Sequence, residues 1–127
     1  MLQRLCEEHR RQGLLEPVVV SLSSLGPIGE RLRAGGIRVE ALGMAGFSGM
    51  PGTISRLPAP LAELKPDVVQ SWLYHGDLIA GLALRGGGWR CPLAWNLRCT
   101  VSGDNLATRM LVRLNALLSR KLPTSIV

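Results

Sequence analysis

His75 and Arg98 are the side chains here best suited to chemistry, and each closely follows an apolar run. A neutral imidazole can accept a proton from a hydroxyl or hydrogen-bond to it, and a resting pKa of about 6.5 leaves it mostly neutral at pH 7. A guanidinium presents a planar fork of donors that suits a phosphate or a carboxylate.

The stretch Lys65-Pro66-Asp67-Val68-Val69-Gln70-Ser71-Trp72-Leu73-Tyr74-His75-Gly76-Asp77-Leu78 explains how His75 would be positioned. Pro66 blocks helix from before it, Val68 and Val69 favour extended backbone, and Asp77 is expected to cap a helix beginning near Leu78. Arg98 lies in Asn96-Leu97-Arg98-Cys99-Thr100, just after the apolar run from Pro92. In a parallel sheet the carboxyl ends of the strands share one edge, so His75 and Arg98 are expected to open onto one crevice. Ser24, Leu25 and Gly26 make a third strand-to-helix turn on that edge, where backbone N–H groups can meet a polar ligand. Plainer roles compete at every position. His75 can simply order its turn, Arg98 can pair with Asp77 or Asp104, and Asp77 is read as a cap before a contact for substrate hydroxyls. Trp72 is read as core, although it and Tyr74 have flat faces that suit a sugar ring.

The elements around these residues alternate. Met1 to Gln12 reads as a helix ended by Gly13, Pro17 to Leu22 as a buried strand, Ile28 to Ala34 as a short helix stopped by Gly35-Gly36, and Ile37 to Leu42 as a strand toward a sheet edge. Gly43 to Gly52 is expected to be a loop, and Thr53 to Leu64 a weak helix interrupted by Pro58 and Pro60. Asp67 to Leu73 is the next strand, Leu78 to Leu84 a helix and Pro92 to Leu97 a strand. Asp104 to Leu122 is the longest helix. Its Leu106, Met110, Leu111, Leu114, Leu117 and Leu118 fall on one broad face, with Arg109, Arg113 and Arg120 on the other side. Ser125 to Val127 reads as the start of another strand. This order predicts a doubly wound α/β fold: a Rossmann-like, three-layer α/β/α domain with a mostly parallel sheet.

Leu5-Cys6-Glu7-Glu8-His9-Arg10-Arg11-Gln12-Gly13, Val18-Val19-Val20-Ser21-Leu22, Leu25-Gly26-Pro27-Ile28-Gly29-Glu30-Arg31-Leu32-Arg33, Gly36-Ile37-Arg38-Val39 and Lys65 to His75, in that order, resemble the N-terminal domain of family-four GT-B glycosyltransferases. The resemblance covers nearly the whole chain. It implies two Rossmann-like domains facing a cleft, the N-terminal one holding mainly a sugar or lipid-linked acceptor and the C-terminal one mainly the nucleotide-sugar co-substrate. It further implies transfer with retention at the anomeric carbon, no other cofactor, and a polar or basic residue after the fourth strand, a place taken here by Arg98 and Thr100. On this reading residues 1–127 are a partial domain without the family's first strand and donor domain, inactive in isolation. An absent central strand would uncover its neighbours and leave the product marginal in stability. The alternative is a non-catalytic α/β binding module or a non-functional remnant.

Several other classes find little support. Gly26 and Gly29 lack the dinucleotide-binding order, and Gly86-Gly87-Gly88 follows a helix instead of opening one. No pair of carboxylates stands at catalytic spacing, and no Ser-His-Asp arrangement can be assembled. Cys6, Cys91 and Cys99 form no C-x-x-C pair, so neither a disulfide framework nor a metal site is expected, and the three read as buried or partly buried thiols. The 127 residues allow one domain, and the 46% hydrophobic content excludes a disordered chain. The net charge of +6 comes from scattered arginines without interleaved aromatics, so nucleic acid is not an expected partner; the Arg109, Arg113 and Arg120 stripe reads first as a solvated helix face, with peripheral contact to an anionic membrane as the alternative. No apolar run approaches the roughly 18 residues of a spanning helix. The opening segment carries Glu7 and Glu8 where a signal peptide would be basic and then apolar, so a cytoplasmic location is expected.

Overall fold

A computed structural model describes residues 1–96 and 105–127. The chain divides into two compact units, Met1–Gly49 and Met50–Val127. Both are mixed α/β with short parallel sheets.

In the first unit, helix α1 (Leu2–Gln12) ends where Gly13 takes the left-handed conformation, φ 66°, and donates its backbone N–H to the Arg10 carbonyl. Strand β1 (Val18–Ser21) pairs in parallel with β2 (Arg38–Ala41), Val19 opposite Val39, with helix α2 (Gly26–Ala34) between them. Cys6, Leu32, Ile37 and Val39 form the core, with Leu2, Val19 and Leu25 packed against it. The triple-valine strand is half-buried at every position instead of buried, because among the described residues β2 alone pairs with it.

The second unit opens with α3 (Met50–Arg56) and α4 (Pro58–Leu64). The expected loop over Gly43 to Gly52 is therefore shorter than predicted: a 3-10 helix covers Phe47–Gly49, and Pro51 sits in the first turn of α3. Proline costs nothing there, since first-turn N–H groups have no helical acceptor. Pro58 likewise starts α4, so the prolines divide this segment into two helices.

Strands β3 (Val69–Trp72), β4 (Leu93–Asn96) and β5 (Ser125–Ile126) form a parallel sheet in that order, with Trp72 opposite Asn96. Helix α5 (Leu73–Gly86) packs on β3, β4 and α6 (Leu106–Leu118). Its Leu78, Ile79, Ala80, Ala83 and Leu84, with Leu93 and Trp95 of β4, supply much of this unit's core. Gly81 lets the chain beyond α6 approach: a Cβ there would lie 2.9 Å from the Leu122 side chain. Among the described residues no helix is long and apolar enough to cross a membrane.

The five strands thus lie in two sheets instead of the single sheet expected. Among the described residues β1 is paired with β2 alone and β3 with β4 alone.

Candidate functional site

The candidate site is the junction of β3 and α5. Trp72 is extended, at φ −131° and ψ 132°, and Leu73 turns the chain through a left-handed backbone, φ 68°. A non-glycine residue there is strained by roughly 1–2 kcal/mol. Helix begins immediately, so α5 starts five residues earlier than the predicted Leu78.

This shift changes the roles of His75 and Asp77. His75 lies in the first turn of α5, not in a loop before it, and its ring meets that of Tyr74 with centroids 4.1 Å apart at 35°. Burial among these groups lowers its pKa from the usual 6.5, which keeps the imidazole neutral at pH 7. Asp77 is not a helix cap. It sits inside α5, completely buried, and its Oδ1 accepts a 2.6 Å hydrogen bond from the Ser71 hydroxyl of β3. The carboxyl thus fastens helix to strand across the turn. Burial raises its pKa, and the Ser71 bond only partly opposes that. Its Oδ2 has no hydrogen-bond partner.

Asn115 of α6 completes the junction. Its Nδ2 donates to the Tyr74 carbonyl at 2.9 Å and to the Leu111 carbonyl at 3.0 Å, fixing α6 against the turn that carries His75. The hydrophobic pattern gave no sign of this, since a lone asparagine among leucines reads as a break in the apolar face. Asn96, buried at the end of β4, lies on the same carboxyl edge as Trp72. Arg98 and Thr100 lie outside the described residues, as does Cys99.

Ser24 and Gly26 belong to the first unit. Ser21 donates its hydroxyl to the Ser24 carbonyl at 2.6 Å, closing the turn after β1, and Gly26 takes φ 61° at the start of α2. Ser24 is exposed and is not a cap: Leu25 holds that position, with no side-chain bond to the helix.

A separate cavity of about 240 Å³ in the second unit is lined by Leu84, Arg85, Trp89, Cys91 and Lys121. It lies at the amino end of β4, opposite the edge that carries His75. Cys6 is buried and Cys91 partly so, and burial raises both thiol pKa values, so neither is an activated nucleophile.

Comparison with known proteins gives no match: no family model, no curated protein and no solved structure is similar to this chain.

Proposed function

We propose that this chain is the acceptor-side domain of a GT-B glycosyltransferase of family four, one wall of a cleft in which a sugar passes from a nucleotide-sugar to an acceptor hydroxyl. The observation that carries the reading is a half-buried, neutral His75 in the first turn of α5, at the carboxyl end of a parallel strand. That edge is where α/β sheets bind ligands. The imidazole accepts the hydrogen bond of an acceptor hydroxyl and orients it for attack, while Asp77, through Ser71, holds α5 in register with β3. Arg98 and Thr100 follow β4 in the chain and provide donors for a phosphate or hydroxyl of the substrate. The nucleotide is held mainly by a second domain, and this wall needs no metal.

The Rossmann-like, three-layer form of the fold belongs to the same proposal. Parallel strands alternating with helices in each unit support it.

The test assays the chain with nucleotide sugars and sugar acceptors, alone and fused to a GT-B donor domain. The fusion is expected to turn over and the isolated chain to be inert, with His75→Ala lowering kcat/KM of the fusion by about 10²-fold while the fold persists. Turnover by the 127 residues alone would overturn the division of labour. Acceptor binding with an inert fusion would point to a binding module, and tight nicotinamide binding to a dehydrogenase.

A further inference from the structure

Helix α6 hides only part of its apolar surface. Leu111 and Asn115 are buried toward the rest of the unit, whereas Leu106, Met110, Leu114 and Leu117 are 70, 63, 41 and 75% exposed. These four are spaced by four, four and three residues, so at 3.6 residues per turn they form one outward stripe about 80° wide. Arg109 and Arg113 follow on its flank, within about 60° of the stripe's edge at the same spacing, and Arg120 stands in the turn just beyond the helix; all three are exposed. From Asn105 to Val127 there is no aspartate or glutamate, against three arginines and Lys121. The stripe is therefore apolar, with cations along one flank and no carboxylate from this segment beside it.

That combination selects the occupant. A second copy packing this face on itself would bring two arginine rows together with no carboxylate on the helix to separate them. A bilayer surface rich in anionic lipid satisfies both halves: the leucines and methionine enter the boundary between headgroups and acyl chains, and the guanidiniums meet phosphates. We infer that the outward face of α6 is a docking surface for an anionic lipid bilayer, on which the helix lies parallel to the membrane plane along its length of about 20 Å. The inference stands apart from the transferase reading, because it uses no residue of the β3–α5 junction. Its consequence for that junction is positional. Asn115, on the inward side of α6, holds the Tyr74 carbonyl, so a docked α6 would fix His75 near the lipid surface.

The test is flotation of the full chain with vesicles of phosphatidylcholine alone or mixed equally with phosphatidylglycerol. Binding is expected to the mixed vesicles and to weaken with salt. Replacing Arg109, Arg113 and Arg120 by Gln should weaken it about a hundredfold, at about 1 kcal/mol per cation. Leu106→Ser with Leu117→Ser should weaken it at unchanged charge, and Met110→Trp should shift its emission to the blue only with the mixed vesicles. All are exposed positions, and circular dichroism checks that each variant folds. A folded chain that ignores the anionic vesicles overturns the inference. So does a concentration-dependent dimer that the serine pair dissolves while vesicle binding is unchanged, which would assign the stripe to a second copy.

Discussion

Asp77 has one oxygen bonded to Ser71 and the other without a partner in a site closed to water, which sets its pH behaviour. Its folded-state pKa is raised above the ordinary value near 4, so the folded protein binds the extra proton over the window just above pH 4. Its contribution to stability is then fully present below about pH 4 and is lost as pH rises through that window, by at most about 1.4 kcal/mol per pH unit. Asp77→Asn should remove this slope, so that denaturant melts of the two proteins diverge toward neutral pH and converge toward pH 4. Ser71→Ala acts differently: it strands Oδ1 as well and should cost about 1–3 kcal/mol. His75 has the opposite sign. Its pKa is lowered, so its contribution is lost as pH falls through 6.5, and a titration followed by NMR should show an imidazole protonating later than a free one.

Elements are set by contacts that pattern reading sees unevenly. The helices α1 and α2 and the strands β1 to β5 were legible, because glycine stops, valine runs and proline positions act locally. The start of α5 was not: the capping rule put Asp77 at a helix end, but its side chain reaches back six residues to Ser71, a long-range partner that spacing alone does not reveal. In α6 the leucine periodicity was plain, yet it could not say which leucines have a partner. The inward direction is set by Asn115, whose amide needs the Tyr74 carbonyl. Asn115→Ala should therefore cost about 1–3 kcal/mol in a denaturant melt despite removing no apolar contact of note. The α5 face gives a steric counterpart. Gly81→Ala would place its Cβ 2.9 to 3.0 Å from Leu122 and should destabilise by about 1–3 kcal/mol, partly rescued by Leu122→Ala.

For the molecule as a whole, the open strand sides matter more than any single contact. Val18, Val19 and Val20 are a β-branched run that is paired on one side among the described residues, which makes it a template for adding further strands. Period-two alternation separates their roles: Val19 packs on the core of Cys6, Leu32, Ile37 and Val39, while Val18 and Val20 point to the opposite face. A lysine at half-buried Val18 adds a charge to the β1 template without entering that core. A lysine at Val19 sets one against the core. If open-edge pairing governs association, Val18→Lys should raise the concentration at which light scattering begins and leave the melting temperature nearly unchanged. Val19→Lys should instead lower the melting temperature of the first unit and promote association through its unfolding. Equal scattering onsets for Val18→Lys and the parent would mean that β1 is not the associating edge, and the same comparison would then move to β3, where Gln70 is the exposed position.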